Sequence, residues 1–196
     1  MSIFKKLFTS STRTNIDLWI ERTFNEINRA NSTKTDPKVI IFALINGLNS
    51  SLKLFGDSYK TDNAIFELGS YILFRGDYWL FENHPEEQTT LQTALNGEFV
   101  KAFSASFPKI NCTETYFNRL DCYASLCQYG VESMHFHLHE LLNKKDAFPK
   151  SYDPSWNIYG RLPLIEQGIK GIEIWAWESA ILSTYLEHLD KYFNRD

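Results

Sequence analysis

The sequence predicts an all-α fold, a single-domain bundle of about six helices with a long aromatic, proline-rich loop before the last helix. Three observations carry this. Apolar residues recur at three- and four-residue spacing through most of the chain. Capping residues and first-turn prolines punctuate those runs. The 196 residues, 43% hydrophobic and 22% charged, suit one globular domain spanning 1–196. Fifteen Phe, ten Tyr and five Trp supply large buried area per residue, so several helices can share a core made of rings.

Residues 1–13 read as an arm ahead of the first helix, which Thr14-x-x-Asp17 opens as a capping box. Ile16, Trp19, Ile20, Phe24 and Ile27 follow at helical spacing, and the polar stretch Asn31 to Thr35 ends the element. Asp36-Pro37 then supplies a cap and a first-turn proline for a helix through Ile41, Leu44, Ile45, Leu48, Leu52 and Phe55, stopped by Gly56. A third helix starts near Thr61 or Asp62 and runs to about Asn83. Its inner stripe is Ile65, Gly69, Ile72, Gly76 and Trp79. Each interior glycine costs about 1 kcal/mol against alanine, so something must offset Gly69 and Gly76. Either another helix or a bulky ring comes close, or a ligand lies over bare backbone.

Pro85-Glu86-Glu87 restarts the chain with acidic residues where the helix dipole favours them. Leu91, Leu95, Phe99 and Phe103 mark the buried side, Asn96-Gly97 is a place for a kink, and Pro108 closes the element. Thr113 caps a fifth helix to about Asn143, with an apolar stripe of Phe117, Leu120, Ala124, Cys127, Val131, Met134, Leu138 and Leu141. Prolines at 149, 154 and 163 forbid a continuous helix over the stretch that follows. Residues 145–162 are therefore expected as an ordered loop whose Tyr152, Trp156 and Tyr159 suit partner or ligand binding. The last helix, Pro163 to Asn194, is apolar on nearly all sides in its middle and is expected at the centre of the bundle.

Composition excludes several function classes. The net charge is −4 with scattered Lys and Arg, so nucleic-acid binding is set aside. Cys112, Cys122 and Cys127 are expected as reduced thiols in a cytoplasmic protein. No apolar run approaches the ~20 residues of a bilayer span. Residues 1–8 place Ile3, Phe4, Leu7 and Phe8 on one helical face beside Lys5 and Lys6, which allows a peripheral membrane contact.

Three of the five histidines fall in His135-Phe136-His137-Leu138-His139. On a helix advancing about 100° per residue, His135 and His139 share a flank with Glu132, while His137 points away. Glu132-x-x-His135 is a carboxylate–histidine pair of the kind di-iron bundles use, and His135/His139 is an i,i+4 zinc-type pair. A second Glu-x-x-His is missing, and Phe136 stands where a zinc protease needs Glu. The plainer alternative keeps the pair at the core edge, hydrogen-bonded to Glu132 or Gln128. Glu178, among Trp175, Trp177, Ile181 and Leu182, must be paired if buried. Arg75 or Arg119 is a structural partner for it, or it completes a site with Glu132 and His135.

No phosphate loop, nucleophile elbow or dinucleotide fingerprint is present. The leading expectation is thus a non-catalytic module that binds another protein. The alternatives are a divalent metal (Zn or Fe) held by Glu132, His135 and His139, with Glu178 as a possible addition, or a small-molecule pocket between helices lined at Gly69 and Gly76.

Overall fold

The computed structural model describes residues 14–55, 62–109, 111–127 and 180–194. These form α1 (Asn15–Ala30), α2 (Pro37–Phe55), α3 (Asp62–Asn83), α4 (Pro85–Phe103) and α5 (Cys112–Cys127), then α6, residues 180–193. There is no strand among the described residues.

The local punctuation works as the residue types dictate. Thr14 Oγ1 accepts from the Asp17 backbone N–H at 3.2 Å, and Asp17 Oδ2 accepts from the Thr14 N–H at 3.0 Å. The other Asp17 oxygen accepts from Asn49 Nδ2 at 3.1 Å, tying this cap to α2. Asn31 ends α1 in the left-handed region at φ 49°. Asn tolerates that conformation through its short polar side chain. Asp36 Oδ1 caps α2 through the Lys38 N–H at 2.8 Å. Between α3 and α4 stands a single residue, His84, and Pro85 begins α4. The His84 ring stacks on Phe193 of α6, centroids 3.6 Å apart and planes within 4°.

The core is built of rings and branched aliphatics from every described helix. Phe66 sits 5.7 Å from Phe99, 5.2 Å from Phe103 and 5.8 Å from Phe107. Ile40, Ile41, Ile45 and Leu48 of α2 are buried with them, as are Leu91 and Leu95 of α4. α4 stays helical through Asn96-Gly97.

Two sequence expectations change. Among the described residues the helix buried on all sides is α3, where every residue from Ala64 to Leu73 is buried. The described part of the last helix buries Tyr185 and Leu189, and the rest of that expected element, 163–179, lies outside the described residues. In α1, Thr23 is buried and Phe24 is 53% exposed, because Ile16, Ile20 and Thr23 define the inward line and Phe24 lies beside it. In α5 the buried line is Cys112, Tyr116, Arg119 and Tyr123 with Cys122, whereas Phe117, Ala124 and Cys127 are exposed. Of the described part of that expected run, Leu120 is half-buried, and Val131, Met134, Leu138 and Leu141 lie outside the described residues. Hydropathy counts Phe, Ala and Cys as interior and Arg and Tyr as surface. The partner helix α3 reverses that by presenting Glu67 and Tyr71.

Candidate functional site

Glu132, His135, His139 and Glu178 lie outside the described residues, as do Tyr152, Trp156, Tyr159, the residue 145–162 loop and the residue 1–8 arm. Among the described residues no group of three His, Cys, Asp or Glu is placed to hold a metal ion. No described helix is long and apolar enough to cross a membrane.

Gly69 and Gly76 are described, and the space over each is filled from within the domain. A Cβ at Gly69 would stand 2.5 Å from the Phe99 ring, and one at Gly76 would collide with the Tyr185 ring. The small residues make room for neighbouring rings, so the expectation of a ligand lying on that backbone gives way to packing.

Arg119 pairs with Glu67. Nε donates to Oε2 at 2.7 Å and an Nη donates to Oε1 at 2.8 Å, a two-pronged bridge between side chains 3% and 5% exposed. Burial pushes the Glu67 carboxyl upward against the opposing pull of Arg119's hydrogen bonds and charge. Burial alone would draw the Arg119 guanidinium down, and the hydrogen bonds and charge of Glu67 reverse that and hold it up. Glu67 was legible by the same signal as Glu178, a carboxylate flanked by Phe66 and Leu68 in an apolar run.

This bridge is the first rung of a ladder. One helical turn on, Tyr71 meets Tyr123 edge-to-face with centroids 5.2 Å apart. A turn further, the charge of Arg75 acts on the Cys127 thiol, opposing the rise that partial burial imposes. Every partner is 52 positions further along the chain than its mate, so α3 and α5 run parallel, in register, with α4 returning between them. Arg75 also donates to Tyr71 Oη at 3.0 Å.

The thiols differ accordingly. Burial pushes Cys122 up to about 12 and raises Cys112, while the Cys127 side chain is exposed. Because the thiolate is the reactive form, a colorimetric disulfide reagent at pH 8 is expected to titrate Cys127 first. The other two should react only as denaturant opens the domain. Three thiols reacting together in native buffer would contradict this burial.

At the surface, α1 and α2 carry a cluster of rings. Phe42 lies 6.4 Å from Trp19 and 6.2 Å from Phe24. The same two helices are joined by the Glu26–Lys38 ion pair, and the Lys38 hydrogen bond and charge, followed by the charges of Arg22 and Arg29, hold the Glu26 carboxyl low. Tyr78 and Phe81 of α3 and Phe117 of α5 are also exposed. No known family model, curated protein or solved structure matches this chain.

Proposed function

We propose that the domain is a non-catalytic protein-interaction module whose described anchor is the Trp19–Phe24–Phe42 cluster. The observation that supports this is Phe24, 53% exposed yet held against Phe42. Exposed, rigid aromatic side chains are the pattern of interface hot spots, since covering them removes apolar area from water at little entropic cost. On sequence grounds Tyr152, Trp156 and Tyr159 are further anchors of the same chemistry.

The test compares wild-type protein and Phe24→Ser as baits in native lysate, followed by titration of any captured protein. Phe24 is exposed, so stability is expected to change by no more than about 0.5 kcal/mol, whereas affinity should fall about tenfold or more. Equal capture by both baits removes the assigned surface. A chain that remains monomeric and captures nothing removes the interaction role. One equivalent of Zn or Fe in untagged protein would instead favour the metal alternative at Glu132, His135 and His139.

A further inference from the structure

The chain holds two Asn-Gly steps, Asn46-Gly47 and Asn96-Gly97. Both lie inside helices, the first in α2 and the second in α4. Glycine is a costly choice there, because it gives up more conformational freedom than any other residue on joining a helix. At Gly69 and Gly76 a neighbouring ring needs the space. At Gly47 and Gly97 nothing stands within 4 Å of where a Cβ would be, so packing offsets neither. Two glycines share this lack of a packing role, and each directly follows an asparagine.

That pairing has a chemistry of its own. The glycine amide nitrogen, having lost its proton to solvent hydroxide, bonds to the asparagine Cγ. The Cγ–Nδ2 bond breaks, and ammonia leaves with a proton taken from water. The cyclic imide then adds water at one of its two carbonyls, giving aspartate or isoaspartate, the latter with an extra methylene in the main chain. In sum, one amide and one water become one carboxylate and one ammonium. Glycine favours the reaction because no Cβ shields its nitrogen and its backbone turns freely.

The fold closes both steps. Within a helix the N–H groups of Gly47 and Gly97 are engaged by the carbonyls of Ala43 and Thr93, four residues back. The same backbone turns each nitrogen out of line with the Cγ it would attack. Asn96 is held by its side chain as well, its Oδ1 accepting from Gln92 Nε2 at 2.8 Å and from the Tyr116 hydroxyl at 2.6 Å. Those bonds draw charge from Cγ, so the protection at this step belongs to the helix and not to the clamp. Leu44, Ile45 and Leu48 flank the first step and Leu95 and Phe99 the second, all of them buried. Unwinding either stretch therefore opens the core.

We infer that Asn46-Gly47 and Asn96-Gly97 are latent self-modification sites, closed in the folded domain and opened when it unfolds. A chain that stays unfolded is thereby marked. At residue 96 the mark also hinders refolding, since isoaspartate interrupts α4 and displaces the oxygen that Gln92 and Tyr116 engage.

The test incubates the full chain at mildly alkaline pH across a guanidinium chloride series. Peptides holding residues 46 and 96 are resolved by chromatography and mass spectrometry, and aspartate plus isoaspartate is scored against the circular dichroism of the same samples. On the folded baseline both steps are expected to react about tenfold or more slower than in the unfolded chain, with both rates rising as the unfolded fraction rises. In denaturant, Gly97→Ala should lose the product at 96 and keep it at 46, and Gly47→Ala should do the reverse. Comparing these variants unfolded makes the result independent of whether they fold. Reaction at either step as fast on the folded baseline as in denaturant overturns the gating. An unfolded chain that forms no product at either step overturns the sites themselves.

Discussion

Replacing Glu67 with leucine is expected to lower stability by about 3–5 kcal/mol, because it strands the buried Arg119 guanidinium without its counter-ion. Arg119→Met strands the carboxylate and should cost a similar amount. The double variant Glu67→Leu/Arg119→Met removes both charges from a site enclosed by the rings of Tyr71 and Tyr123. It is expected to recover most of the loss and to lie within about 1–2 kcal/mol of wild type, on either side. Urea unfolding followed by circular dichroism measures all four corners of the cycle. In a domain of this size about 2–4 °C of melting temperature accompanies each kcal/mol, so the single variants should melt roughly 10 °C lower. If the double loses as much as the two singles added together, the bridge contributes no coupling and the parallel α3–α5 register rests on packing alone. The sign of the recovery also bears on why the pair exists. A bridge that can be replaced by apolar groups at little cost specifies alignment more than it stabilises.

Four glycine-to-alanine substitutions are expected to split by sign. Gly69→Ala and Gly76→Ala should each destabilise by about 1–3 kcal/mol, the cost of overpacking a filled interior. The added methyl groups meet Phe99 and Tyr185. Phe99 cannot swing away, since Phe66, Phe103 and Tyr116 surround it at 5.7, 5.0 and 5.5 Å. Gly47→Ala and Gly97→Ala place the same methyl group where nothing stands within 4 Å. These two should stabilise by about 0.5–1 kcal/mol, the ordinary gain in helix propensity. Phe99→Leu should partly rescue Gly69→Ala by shortening the ring that fills the space. Thermal unfolding of the six proteins decides it. A uniform gain across the four glycines would mean that Gly69 and Gly76 are not packing contacts.

Much of the fold was legible because local chemistry is short-ranged. Thr14 and Asp17, Asp36 and Pro37, and Pro85 act within one helical turn, so their residue types alone start three helices where the structure starts them. The buried sides of α2 and α4 were legible too, because Leu, Ile and Phe mark most of them, although Asn49 and Gln92 are buried there as well. The candidate sites fared differently. Gly69 and Gly76 announced that something must lie against them, and the sequence held no means of telling a neighbour's ring from a ligand. Glu67 stands in an apolar run as Glu178 does, but its partner was not legible, since the burial of a polar residue on a helix depends on a group far along the chain.

The residues alone thus determined that this protein is helical, where α1, α2, α3 and α4 begin, and that aromatic rings fill the interior; α5 begins at Cys112, ahead of the expected Thr113 cap, because Asn111 Oδ1 accepts from the Glu114 N–H. Tertiary structure decided how each described helix is turned and which of them is buried on all sides. α5 rotates by about one residue from its apolar stripe so that Arg119 can meet Glu67, 52 positions away. Among the described helices α3 is the one buried on all sides, because its neighbours accept its polar as well as its apolar sides. The reason is physical. Capping and periodicity are settled by atoms a few residues apart, whereas the cost of burying a charge or a hydroxyl is set by whichever group the fold brings opposite.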